Sequence, residues 1–289
     1  MTASDDSPAT GSAPQQSGAR FGPDLWPRVA AAVAMGSVAL AAAWIGGFVF
    51  AAFWWLASIV VLWEWQRLVG GQRLIVERVA VGAVALALAA LSALHNSIPG
   101  VGAALILGAA AVGWITGMGQ GIWAAAGVLY AGALVASVGL LRVSPSFGMA
   151  AILWLFAVVW GADIAAYFAG RLVRGPRLWP RVSPGKTWAG AIVGAFAGAV
   201  LGLMLAAWTN RLAALFWLGL ATAIVSELGD LFESALKRRF GVKDSSGLIP
   251  GHGGLMDRLD AFTSASFFAA VVGILHPKGD YIASGLFQW

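Results

Sequence analysis

Glu227, Asp230 and Glu233 stand at spacings of three in ATAIVSELGDLFESALKRR, so a helix presents all three carboxylates on one face. Asp257 and Asp260 repeat the spacing in HGGLMDRLDAF, and Asp163 adds an acid from a third segment, WGADIAAYFAG. Their neighbours are largely apolar, and a carboxylate in such surroundings costs several kcal/mol unless it is neutralised, paired or bound to a cation. Two helices each presenting acids at i and i+3 supply the oxygen ligands that a hard divalent cation takes, with Asp163, Glu227 and Asp260 among the candidates. The competing reading is structural: ion pairs with Lys237, Arg238, Arg239 and Arg258, and for Asp163 a hydrogen bond to Tyr167 one turn on.

Two basic segments adjoin the acids. In SPGKTWAG, Ser183, Lys186 and Thr187 precede an apolar run, where the first N–H groups of the next helix make an anion site. The glycine spacing of a Walker A loop is missing, so taken alone the signal is weak and a positive-inside loop is the better explanation. The second segment, Ser234 to Asp260, carries Lys237, Arg238, Arg239 and Lys243 as cationic donors and Gly251, Gly253 and Gly254 where backbone can approach a ligand. His252 among those glycines can donate to phosphate or act as an acid or base; the alternative is a loop histidine bonded to backbone. His95 and His276 fall on the opposite face and read as incidental. Cations beside acids that require a metal describe a site for a polyphosphate with Mg²⁺, a second cation being left open.

The elements that must hold these groups are membrane spans. Of 289 residues, 60% are hydrophobic and 11% charged, against about 25% charged in an ordinary soluble domain. That excludes a water-soluble globule, a disordered chain and a disulfide scaffold, the last also because cysteine is absent. Apolar runs near 28–46, 48–65, 78–95, 101–116, 121–141, 149–170, 188–208, 212–235 and 261–275 give about nine helices, an all-α polytopic protein. Residues 1–24, rich in Ser, Ala, Pro and Gly, read as a disordered cytoplasmic tail, and Asp5 and Asp6 stand where a signal peptide would be basic. Residues 25–148 form an N-terminal set of spans, and 149–289 a catalytic region with loops 171–187 and 236–260. With the N-terminus inside, fifteen Lys and Arg fall on the cytoplasmic side and three, Arg142, Arg211 and Lys278, on the other. The formal charge of +5 is thus divided by leaflet and does not indicate nucleic acid.

The C-terminal half resembles the phosphatidate cytidylyltransferases, or CDP-diacylglycerol synthases. That family's signature is matched by Ser234, Lys237, Arg238, Lys243, Asp244, Ser246, Pro250, His252, Gly253, Gly254, Asp257, Arg258 and Asp260, and the likeness extends to GDLFES, SPGKTWAG and WGADIAAY. Family members commonly carry a second lysine where Gly185 stands and a glutamate where Ala189 stands. The resemblance implies that CTP and phosphatidate give CDP-diacylglycerol and pyrophosphate, with Mg²⁺ held at Asp230 and Asp257, in a homodimer of the cell membrane. On that reading Lys237, Arg238, Lys243 and Arg258 offset triphosphate charge, Ser183, Lys186 and Thr187 hold the lipid phosphate, and Asp244, His252, Gly253 and Gly254 border the substrates. The rivals are a CTP-dependent lipid kinase, a cytidylyltransferase for another lipid phosphate, and a cation- or proton-coupled transporter.

Overall fold

In the computed structural model, residues 25–70, 72–173, 175–249 and 253–289 are described, with side chains from residue 33 onward. The tail 1–24, Gly71, Arg174, Pro250, Gly251 and His252 lie outside the described residues. Five helices make the N-terminal part: α1 (Leu25–Ile45), α2 (Gly47–Gly70), α3 (Ile75–Leu94), α4 (Ile98–Thr116) and α5 (Gly121–Arg142). Then come α6 (Gly148–Leu172), a hairpin of β1 (Arg177–Trp179) and β2 (Ser183–Thr187), α7 (Trp188–Ala206), α8 (Leu212–Arg239), α9 (Met256–Leu275) and the short α10 (Ser284–Phe287). Eight of these, α2 to α9, are long and apolar enough to cross a membrane, and α1 adds a shorter apolar stretch, Val33–Ile45. The protein is an all-α polytopic membrane protein.

α5 is the central post: 67% of its apolar window is buried, against 28–50% for the other spans. It packs on α2, α3, α4, α6 and α9. The α2 register on this post is fixed by two polar side chains, since Trp65 Nε1 donates to Trp123 O and Gln66 Nε2 to Ala124 O, each at 2.8 Å. Around α6, the contact with α7 is built on small residues. A Cβ at Gly194 would stand 2.8 Å from Ala162 O and one at Gly198 2.7 Å from Val158 O, so this face of α7 lets the two backbones touch. That places the start of α7, with Thr187 of the hairpin that leads into it, against the end of α6 that carries Asp163.

Three local differences from the sequence expectation bear on the site. The segment 171–187 is not plain loop: its second half forms the antiparallel hairpin, with Arg177 opposite Thr187 and Trp179 opposite Ser183. The basic end 236–239 continues α8 to Arg239. α9 starts at Met256 rather than near 261. Its first N–H groups are satisfied by carboxylates, which allows a helix to start inside a charged segment.

Candidate active site

A cavity of about 1580 Å³ runs between α1, α2, α6, α8 and α9 and is bordered by β2 and the start of α7. Its two ends differ in chemistry. At the apolar end, rings from three helices stack in series: Trp54 on Phe262 at 5.2 Å, Phe262 on Phe156 at 5.1 Å, and Phe156 on Trp160 at 4.7 Å. At the other end Asp163, Glu227, Asp230, Glu233, Asp244, Asp257 and Asp260 meet Arg171, Lys186, Lys237 and Arg258. Seven acidic side chains against four basic ones leave this wall net negative, so it cannot take a polyanion unaided.

Two lysines organise the acids. Lys186, on β2, reaches across to α8 and pairs with Asp230 at 2.8 Å, and Ser234 Oγ donates to the other Asp230 oxygen at 3.3 Å. Lys237 lies one turn beyond Glu233 on α8, hence on the same face, and pairs with Glu233 at 2.9 Å and with Asp257 of α9 at 2.6 Å. Asp257 also accepts from Gly254 N at 2.8 Å and Ser245 N at 3.2 Å, which ties the α8–α9 loop to the start of α9. Arg238 and Arg239 point elsewhere: Arg238 donates to Val242 O at 3.2 Å, and Arg239 lies 4.8 Å above the Trp123 ring.

The acids outnumber what the lysines can satisfy. Glu233 is 1% exposed, stands beside the carboxyls of Asp257 and Asp260, and neither of its oxygens accepts an aligned hydrogen bond. Glu227 Oε1 is likewise buried and without a donor. Among the described residues, Asp230, Glu233 and Asp260 offer carboxylate oxygens within 4.8 Å of one another. Asp230 has Lys186 and Ser234, Asp260 has the Ala261 N–H and Glu233 has Lys237, yet three carboxylates this close still repel when all are charged, and an all-oxygen set suits a hard divalent ion. The chemistry of these residues therefore fits a divalent cation.

The other sequence candidates fall as follows. Asp163 opens onto the cavity near Asp230, Lys186 and Arg258. Tyr167, the partner considered for Asp163, instead stacks under Arg171, whose guanidinium lies 4.6 Å from the ring centre. Lys186 and Thr187 line the cavity, and Thr187 Oγ1 caps α7 by accepting from Gly190 N at 3.1 Å. Ser183 is not among the lining residues, nor are Arg238 and Lys243. Gly253 is bridged to Ile249, whose N–H donates to Gly253 O at 2.9 Å. Gly254 is buried, and a Cβ there would collide with Ser245 Oγ and Glu64. His252 lies outside the described residues. His95 and His276 are spent on Leu91 O and Gly285 O, at 2.8 and 2.9 Å.

Two acids carry more than the sequence reading gave them. Glu233 was placed on the acidic face without a ligand role, and it is the most deeply buried member of the carboxylate triad. Glu64 of α2 was passed over entirely, though it is fully buried and holds the loop beside the site. The signal available was the one used for the others, an acid inside an apolar run, VVLWEWQRLV.

Residues 26–276 match the cytidylyltransferase family. The chain is 37% identical over 278 residues to a phosphatidate cytidylyltransferase of Brucella abortus, covering 92% of this chain and 99% of that protein. It is 38% identical over 276 residues to that of Brucella suis, covering 91% and 98%. A shorter match of 128 residues, at 44% identity, joins it to the phosphatidate cytidylyltransferase of Haemophilus influenzae, over 42% of this chain and 44% of that protein. With likeness running nearly end to end and the acids and lysines gathered in one cavity, this chain belongs to the cytidylyltransferase family.

Proposed function

We propose that the chain transfers a cytidylyl group from CTP to phosphatidate, giving CDP-diacylglycerol and pyrophosphate for phospholipid synthesis. The observation that carries this reading is a single cavity with an aromatic, apolar end and a charged end. One end suits acyl chains, and the other suits phosphates. In the reaction a phosphate oxygen of phosphatidate forms a bond to the α-phosphorus of CTP as the bond to the β-phosphate bridging oxygen breaks, and pyrophosphate leaves. The nucleophile is already ionised at neutral pH, so no general base is required and none is assigned to His252.

Both reactants are anions, and the chain must offset their repulsion and align them. In this proposal Lys237 and Arg258, which line the cavity with Asp244, offset charge on the triphosphate and the leaving pyrophosphate. Lys186 and Thr187, at the hairpin end, face the lipid phosphate. Asp230, Glu233 and Asp260, with Asp257 adjoining, are the residues that would hold a divalent cation, Mg²⁺ in this proposal, which when bound neutralises phosphate charge and polarises the reacting phosphoryl group. Asp163 and Glu227 complete the acidic wall. A homodimer, a cytoplasmic-membrane location and a cytoplasm-facing site belong to the proposal too, the first from family resemblance and the last from the fifteen-to-three charge asymmetry.

The test is purified protein in detergent with phosphatidate, Mg²⁺ and CTP labelled in either the α- or the γ-phosphate. Label from the α-position in the lipid, with one pyrophosphate per lipid, is the expected result. Label from the γ-position in the lipid would mean a kinase, and no lipid label with either would remove the reading.

A further inference from the structure

The acids and lysines of the cavity all come from the C-terminal half, yet the loop between α8 and α9 is hydrogen-bonded to the N-terminal half at Glu64. Glu64 of α2 is fully buried, and each of its carboxylate oxygens accepts two hydrogen bonds. Oε1 takes them from Ser246 Oγ at 2.5 Å and Leu255 N at 3.0 Å, and Oε2 from Ser245 Oγ at 3.2 Å and Met256 N at 2.6 Å. The pedestal is rigid, because the next two side chains, Trp65 and Gln66, pin α2 to α5. On the far side of the same loop, Asp257 gathers Ser245 N, Gly254 N and Lys237 Nζ. Gly254 lies between the two carboxylates with no space for a side chain.

We infer that Glu64 is a positioning residue for the cytidylyl transfer, setting Asp257 and Lys237 in place by clamping both ends of the 245–256 segment to α2. It does not line the cavity and acts through the loop. The carboxylate is required for a geometric reason. Serine hydroxyls can turn to suit either partner, but each Glu64 oxygen faces one backbone N–H, which cannot. A glutamine in either flip sets its NH₂ against one of those N–H groups, so the loop must shift. Shifts of about 1 Å beside reacting groups cost on the order of 10²-fold in rate.

This inference rests on the cytidylyl-transfer reading, and two readouts separate them. In the full-length purified protein, Glu64→Gln should lower kcat on the order of 10²-fold. It should also speed hydrogen exchange at the Leu255 and Met256 amides while leaving α2 amides at Phe53 to Leu62 as in the wild type. A kcat within about threefold of wild type, or unchanged exchange at those two amides, overturns the positioning role. Where Glu64→Gln does not fold, the double variant Ser245→Ala, Ser246→Ala removes half of the clamp while keeping the charge. It should give the same two changes in smaller measure, and a wild-type kcat or wild-type exchange there overturns the inference equally. Wild-type protein that makes no CDP-diacylglycerol would instead sink the function proposed above, while the exchange arm continues to report on the clamp.

Discussion

Lys237 serves two acids on different helices, and a cation site and an ion-pair network predict opposite outcomes when one of them, Glu233, is neutralised. If Lys237 alone neutralised the cluster, removing one acid would weaken folding. With Asp230, Glu233 and Asp260 crowded within 4.8 Å, the opposite follows. Glu233→Gln should raise the unfolding temperature in excess EDTA, because a buried repulsion is relieved. It should also shrink the stabilisation that Mg²⁺ gives the wild type, since a ligand that binds only the folded state stabilises it by mass action. Thermal unfolding in detergent with and without Mg²⁺ reads both effects, and a destabilised variant with an undiminished Mg²⁺ response would leave only the ion-pair account. Asp257→Asn tests the neighbouring acid. Lys237 keeps Glu233 as a partner, so the variant should fold, while turnover falls about 10³-fold through the loss of transition-state charge stabilisation. Near-normal turnover at ordinary Mg²⁺ would remove Asp257 from the chemistry.

At the scale of the elements, the α8–α9 loop is tightly packed at Gly254. Gly254→Ala should cut turnover by at least about tenfold, because its Cβ meets Ser245 Oγ and the Glu64 carboxylate and the loop must move. Gly185→Ala is the comparison. Gly185 has open space where a Cβ would go, so turnover there should stay near wild type, and equal losses at both positions would contradict the crowding argument. The same elements show what the chain discloses before its structure is known. The spans were legible because apolar runs of helical length have one solution in a bilayer. The i, i+3 acids were legible for a similar reason, the helix period alone placing them on a common face. The hairpin at 177–187 was not, since Pro, Gly and Arg in LVRGPRLWPRVSPGK read as loop and the strand pairing is made only by its return toward α6. The start of α9 was misplaced for want of its cap. Glu64 lies 192 positions from Met256, and nothing local in the sequence joins them. The inward turn of Lys237, as against Arg238 and Arg239, follows from its spacing to Glu233 and was within reach of the helix period.

For the whole molecule, the open question of orientation is one of charge against the bilayer. The hairpin after α6, the end of α8 and the start of α9 all border the charged end of the cavity, so a single orientation decides which compartment supplies the nucleotide. Fifteen Lys and Arg accompany that end on the sequence count and three the other, and short basic loops stay on the cytoplasmic side. The chain has no native cysteine, so one introduced thiol reports without background. Gly247, in the α8–α9 loop, and Lys278, after α9, are both exposed and outside the hydrogen bonds that hold the site. In intact cells a membrane-impermeant maleimide should leave Gly247→Cys unlabelled until the membrane is opened, and should label Lys278→Cys at once. Both variants should keep turnover, because neither residue lines the cavity. The reverse labelling pattern would turn the charged end of the cavity away from the cytoplasm, where CTP is made. Cytidylyl transfer from cytoplasmic CTP would then need the nucleotide to cross the bilayer before reaching Lys237, which would count against the proposed reaction.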